Sequence, residues 1–336
     1  MLSVVELQRF AKEAGFDLCG FARAEPIPAD TLTRWIEAGF DADMDWMGRR
    51  AAERLDVSLL LPGAKTVISF ACNYHVEHAE SAASPVAKYA RGRDYHATMR
   101  DRLRAFRRAL SAAHPEVQTY GGIDSGPLME KVWAARAGIG YVAKSGCLMT
   151  EEFGSYVVLA TLILDAAVDR YADGPAMDRC GGCTICISDC PTDAIQEDRS
   201  VDARRCLSYQ TIENDQHVPT ELRDAFSGIV FGCDICQTVC PLNRRTLPTE
   251  NVRWIPRAVA SLGVRELAAL TKEQYEKLVP GTPLARAGFD GLRRNAAYAI
   301  GAAKDVDARP VLETLLADQN DAVREAAEWA LGRLAG

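Results

Sequence analysis

Cys180-Gly-Gly-Cys183-Thr-Ile-Cys186-Ile-Ser-Asp-Cys190-Pro191 decides the reading of this chain, because it places three thiols within seven residues and a fourth shortly after. A second set begins at an isolated Cys206 and closes with Cys233-Asp-Ile-Cys236-Gln-Thr-Val-Cys240-Pro241. Eight of the 11 cysteines therefore lie between Cys180 and Cys240, leaving only Cys19, Cys72 and Cys147 elsewhere. In a reducing compartment such a cluster points to metal rather than disulfides. The N-terminus fits that compartment: Glu6 and Lys12 fall where a secretory signal would keep an apolar core. The longest membrane-like run, Tyr156 to Leu164, is far shorter than the ~20 residues of a transmembrane helix. A cytoplasmic protein with no membrane partner is expected. At 336 residues, 48% hydrophobic and 25% charged, the chain is globular and long enough for two or three domains, which excludes wholesale disorder.

The Cys-x2-Cys-x2-Cys-x3-Cys-Pro run is the bacterial ferredoxin spacing, in which three thiolates hold one cluster and the fourth departs to a second. Eight ligands make two 4Fe-4S clusters. Crossover assigns Cys180, Cys183, Cys186 and Cys240 to one, and Cys190, Cys206, Cys233 and Cys236 to the other. Zinc is the alternative, but structural zinc sites usually pair two Cys-x2-Cys knuckles and do not run three cysteines in seven residues. Two clusters move electrons one at a time, so another part of the chain must receive them.

The flanks are of different kinds. Residues 1–170 mix helices and strands around one sheet: Lys65 to Ala71 reads as a central strand, Met99, Leu103, Phe106 and Leu110 mark a helix, and Val117–Tyr120 and Tyr156–Leu164 are further strands. Residues 171–245 hold the cysteine block, where metal is expected to supply much of the folding energy. Residues 246–336 turn helical. There Leu292–Gly301 aligns at an offset of 31 with Val323–Gly332, matching Arg293 to Arg324 and Tyr298 to Trp329, with a helix between the copies. That period is the pattern of short HEAT-type repeats, and two copies must pack on a neighbouring domain.

No phosphate loop and no Gly-x-Gly-x-x-Gly follows a strand, so nucleotide cofactors are not expected. Instead, a series of segments resembles the epoxyqueuosine reductases: Leu61–Ile68, Ala90–His96, Ile123–Pro127, Gly138–Lys144, Gly154-Ser155 and Cys206–Glu213, in that order and interlocked with the cysteine spacing. Ala143 departs from the pattern, where glycine is expected before the lysine. The resemblance implies an α+β chain: a nitroreductase-like cobalamin-binding domain, a double 4Fe-4S ferredoxin-like domain and a helical-repeat tail. It also implies reduction of the epoxide of epoxyqueuosine at the tRNA wobble position to an alkene, with an external flavodoxin- or ferredoxin-type donor. On its own, an aspartate in Gly121-Gly-Ile-Asp124-Ser-Gly-Pro127 is an Asx-turn residue; the resemblance makes Asp124 the proton donor, whose pKa burial would raise. It also puts Arg54, the Ala90 backbone, Tyr95, His96, Lys144 and Ser208 in segments lining the cobalamin. Cys72 and Cys147 read as buried small side chains. The nearest alternative is a reductive dehalogenase-like enzyme acting on a small molecule; a non-catalytic electron carrier is the other.

A net charge of −7 argues against non-specific nucleic-acid binding but permits a local basic surface. Between Lys88 and Arg108 stand eight Lys/Arg and two Asp. Taken alone, Arg100, Arg102, Arg104, Arg107 and Arg108 are the wet face of an amphipathic helix. Arg286, Arg293 and Arg294, at the start of the repeats, are the expected phosphate contacts to tRNA.

Overall fold

The computed structural model describes residues 1–76, 84–249 and 251–335. Helix α1 (Val4–Glu13) leads into strand β1 (Leu18–Arg23), and β2 (Thr66–Asn73) follows after a helical excursion. Helix α2 (Tyr95–Ala113) precedes β3 (Thr119–Gly122), and α3 (Glu130–Arg136) precedes the short hairpin β4 (Tyr141–Val142) and β5 (Leu148–Met149). Strand β6 (Val157–Leu164) completes a four-stranded sheet in the order β1-β2-β6-β3, antiparallel throughout.

All eight residues of β2 are buried, as expected of a central strand covered on both faces. On one face α1 and α2 deliver Leu7, Phe10, Met99, Leu103, Phe106 and Leu110 onto Phe70 and Leu162; the Phe70 and Phe106 rings meet edge to face with centroids 4.9 Å apart. On the other face Trp133 of α3 packs with Val67, Ile163 and Val57.

Strand β3 runs two residues beyond the expected Tyr120, because Gly121-Gly122 continue the ladder. A Cβ on Gly121 would stand 2.2 Å from the Thr161 carbonyl oxygen, so only glycine lets β3 approach β6 there. What reads as a turn signal is a requirement of close approach.

Helix α4 (Leu207–Ile212) lies within the cysteine block, following Cys206, and α5 (Gly288–Ala303), α6 (Arg309–Leu315) and α7 (Asp321–Ala335) form the repeats, with α6 between the two copies. The copies pack on each other: a Cβ on Gly301 would meet the Trp329 ring at 2.6 Å, and the matched Tyr298 and Trp329 rings stand 5.7 Å apart. One core joins Leu207, Val218, Phe226 and Phe231 of the cysteine block to Leu292, Tyr298, Leu312 and Val323 of the tail, with Val86 and Ala90. The composition change near residue 245 is therefore crossed by continuous packing. The second half of the cysteine block buries apolar side chains, while Cys180 to Cys190 lies in mostly exposed turns.

Candidate active site and cluster sites

Asp124 follows β3 with φ 55°, a left-handed conformation that a non-glycine residue adopts at some cost. Its N–H donates to Glu130 Oε1 of α3 at 3.0 Å. Its Oδ2 accepts from the Tyr95 hydroxyl at 2.7 Å and lies 3.2 Å from His96 Nε2. Tyr95 and His96 open α2 with stacked rings, centroids 4.1 Å apart. Asp94 caps that helix, accepting the His96 N–H at 3.0 Å, and its carboxylate lies 2.8 Å from His96 Nδ1. His96 thus bridges two carboxylates. Their hydrogen bonds raise its pKa to about 9, Asp124 contributing most. The same imidazole holds Asp124 below the ordinary carboxylate range. The Asp124 side chain is 61% exposed, and its hydrogen bond with His96 outweighs the rise that burial brings. Burial instead raises Glu130 beneath it, to about 8.

Two arginines flank this corner. Arg286 clamps Glu213 with Nη2 to Oε2 at 2.6 Å, covers the Trp46 ring at 5.8 Å and is close enough to lower the Asp124 pKa. Arg54 lies within 3.5 Å of the Gly126 and Trp46 carbonyl oxygens, and its buried Nε has no hydrogen-bond partner among the described residues. Arg54, Tyr95, His96, Asp124 and Arg286, scattered over more than 230 residues, therefore line one cleft. Glu130, Glu213 and Trp46, which the sequence reading missed, complete it.

The structure places other candidates elsewhere. Lys144 donates Nζ to the Gly181 and Cys183 carbonyls at 2.8 and 3.0 Å, bracing the first cysteine loop. Ala143 is buried with Tyr141 and Met149 against Cys180 and Cys240. Ala90 is fully buried in the second core. The Ser208 backbone amide points at Cys206. Arg294 and Arg293 require correction as tRNA contacts. Arg294 is 2% exposed and donates to the Gln216 and Gln210 carbonyls at 2.6 and 2.9 Å, so no phosphate reaches it. Arg293, 13% exposed, is paired with Asp318.

The thiols fall into two groups of neighbours. Cys186 is raised by burial and by its neighbours Cys180, Cys240 and Cys183. Cys233 is pushed up to about 12 by burial and by Cys206, Asp234 and Cys190, while Cys236 faces Cys233 and Cys206. Among the described residues no group of three His, Cys, Asp or Glu side chains is placed to hold a single metal ion. Cys147, read as a bystander, lies within hydrogen-bonding reach of Cys236. The two quartets differ in access. Cys183 is exposed, with Met177 (82% exposed) and Ile185 (40% exposed) nearby in sequence. The second quartet is more enclosed: Asp234, next to Cys233, accepts the Lys88 N–H at 2.6 Å, and half-buried Tyr89 is near both Asp234 and Asp124.

Comparison with known proteins closes the question of kinship. The family description "Epoxyqueuosine reductase QueG, DUF1730" matches residues 54–125, "4Fe-4S double cluster binding domain" matches 179–243, and "HEAT repeats" matches 282–336. The epoxyqueuosine reductase of Pseudomonas aeruginosa is 38% identical over 346 aligned residues, covering 97% of this chain and 93% of that protein. The chain belongs to the epoxyqueuosine reductase family. The epoxyqueuosine reductase of Gloeobacter violaceus is 36% identical, covering 90% of this chain and 97% of its own. A crystal structure of epoxyqueuosine reductase with a tRNA-Tyr stem loop carrying epoxyqueuosine superposes with a TM-score of 0.91 at 30% identity, covering 99% of this chain and 90% of that one. The Bacillus subtilis epoxyqueuosine reductase, solved with its catalytic aspartate loop swung out of the active site, gives 0.87 at 30% identity, covering 98% and 90%. As a member of the epoxyqueuosine reductase family the chain is an oxidoreductase with a double 4Fe-4S cluster domain. Its residues fit two clusters as two thiol quartets, and the Asp124 corner holds a buried arginine nitrogen without a partner among the described residues.

Proposed function

We propose that the chain reduces epoxyqueuosine to queuosine at the wobble position of tRNA, with Asp124 delivering the proton to the epoxide oxygen. The observation that carries the reading is the Asp94–His96–Asp124 line, which ends at the cleft on a strained, hydrogen-bonded carboxylate. The overall change consumes two electrons and two protons, converts the epoxide to an alkene and releases water. Bound cobalamin supplies a strongly reducing cobalt centre to the substrate. The chain's own residues supply the proton. His96 is charged at neutral pH and hydrogen-bonded to the Asp124 carboxylate, so the His96–Asp124 pair holds one proton beside the position of the leaving oxygen. Tyr95 donates to the same Asp124 oxygen and fixes its orientation, and Glu130 holds the backbone that carries it.

Cys180, Cys183, Cys186 and Cys240 would hold the cluster nearer the surface, where Cys183 is exposed, and Cys190, Cys206, Cys233 and Cys236 the one nearer Tyr89; together they would supply electrons one at a time. The donor is an external flavodoxin- or ferredoxin-type protein, and exposed Met177 and Ile185 support docking near Cys183. Among the described residues no helix is long and apolar enough to cross a membrane, and the place of action is the cytoplasm, where tRNA is matured. Incubating reconstituted protein with reductant and tRNA carrying epoxyqueuosine, then analysing nucleosides by mass, tests the reading; a small-molecule reductase would leave the tRNA unchanged.

A further inference from the structure

Helix α2 carries a second feature that the cleft does not use. Arg100, Arg104, Arg107 and Arg108 line one side of a groove of about 540 Å³, and Gly121, Gly122, Ile123 and Ser125 line the other. The lining contains four arginines and no carboxylate. The second wall is the outer edge of β3, which pairs only with β6. Arg107 pins the helix over that edge, donating to Thr119 Oγ1 and to its carbonyl, both at 3.0 Å. Arg104 reaches Asp101 only at 3.4 Å, with its side chain 65% exposed. Among the described residues Arg100 and Arg108 form no ion pair. A wet helix face needs no opposing wall, and this one has a wall that ends at Ser125, beside Asp124.

We infer that this groove is the track for the phosphodiester backbone of the RNA whose modified base enters the cleft, an inference resting on the tRNA reading above. From Arg100 to Arg108 the helix rises about 12 Å, room for about three consecutive phosphates at 3.4 Å or more each. A row with one cation per turn suits a polyanion better than a single phosphate, for which one bidentate arginine suffices. The row is also local, since the whole chain carries −7. It replaces the repeat arginines Arg293 and Arg294, which are already bonded within the protein.

The test uses holoenzyme carrying both clusters and cobalamin, with tRNA bearing epoxyqueuosine. Replacing Arg100, Arg104 and Arg108 together by Gln is expected to reduce the slope of log affinity against log salt by about two, at ~0.7 for each single-strand phosphate no longer neutralised. KM should rise about tenfold at ~0.15 M salt, with kcat at saturation retained. The triple Lys variant should restore the slope, because phosphate attraction needs charge, whereas Arg34→Gln, removing an exposed cation on another helix, should leave it unchanged. A Gln variant with the wild-type slope, or an Arg34→Gln variant whose slope falls as far as that of a groove variant, overturns the inference. Failure of wild-type protein to convert the tRNA at all overturns the substrate reading instead, and the binding slopes still report on the groove.

Discussion

Arg286 and Arg294 stand two turns apart in sequence yet serve opposite ends. Arg294 is buried, and its guanidinium is saturated by the Gln210 and Gln216 carbonyls and the Asn295 side chain. Arg286 has a side chain 60% exposed, one partner in Glu213 and a field that reaches Asp124. The same contrast separates the tail from the cleft as a whole. Against the tail, Arg223 of the cysteine block donates to the Val218 carbonyl and pairs with Glu325 of the repeats, joining the two. At the cleft Asp124 keeps a strained backbone and a largely exposed carboxylate beside His96, and Arg54 keeps a buried nitrogen without a partner among the described residues. A buried ion bonded within the protein, such as Arg294, specifies packing; an exposed charge such as that of Asp124 marks where a ligand goes.

The comparison breaks most visibly if the cleft proves structural. Asp124→Asn should lower turnover by about 10²–10⁴-fold, the usual contribution of a general acid, with iron content unchanged and only a small fall in the unfolding midpoint from the lost His96 pairing; a large shift in midpoint with retained turnover would reverse the roles of cleft and tail. Arg294→Ala should do the opposite. Each buried carbonyl left unpaired costs about 1–3 kcal/mol, so the denaturant midpoint should fall markedly while tRNA affinity per folded molecule holds. Reduced affinity with intact stability would return Arg294 to the RNA surface.

The pH dependence sharpens the cleft side. His96 keeps its proton up to about pH 9, against 6.5 for an ordinary imidazole, because Asp124 and Asp94 accept its hydrogen bonds. Its contribution to stability is therefore complete below pH 6.5 and disappears as the pH rises through 9. Activity should fall on that same alkaline limb, and His96→Asn should remove the limb. Asp124 runs the other way: held below the ordinary carboxylate value, it contributes above that value and loses its contribution as the pH drops through its lowered pKa.

The smallest effect lies inside the tail. The repeat glycines Gly301 and Gly332 align in sequence, but only Gly301 is closed over by the partner helix, while a Cβ on Gly332 meets open space. Gly332→Ala should raise stability by about 0.5–1 kcal/mol, the ordinary gain of alanine over glycine in a helix. Gly301→Ala should lower it. Equal shifts measured by thermal unfolding would mean that the two copies do not pack through this face.

Much of this architecture is legible in the sequence because it is written in spacing. The thiol pattern predicts both quartets, the four-three-four apolar period predicts α2, and the 31-residue offset predicts α5 and α7 as packed copies. What escapes is whatever depends on tertiary neighbours. Gly121-Gly122 reads as a turn because the demand for a missing Cβ comes from Thr161, 40 residues away in sequence. Arg293 and Arg294 read as a basic patch because charge is visible in a sequence and burial is not. Glu130 carries no motif, and its role exists only through the backbone amide of Asp124. The thiol of Cys147 looks isolated until the β4–β5 hairpin sets it against Cys236.

The central claim is that the ions at the cleft, fed by the two clusters, open an epoxide on RNA. The most direct test is nucleoside mass analysis after anaerobic incubation of the reconstituted chain with reductant and tRNA carrying epoxyqueuosine, in wild type and Asp124→Asn. The account predicts loss of one oxygen atom from the modified nucleoside with wild type and its retention with the variant. Unchanged nucleoside with fully loaded wild-type protein, or equal conversion by both proteins, would contradict it.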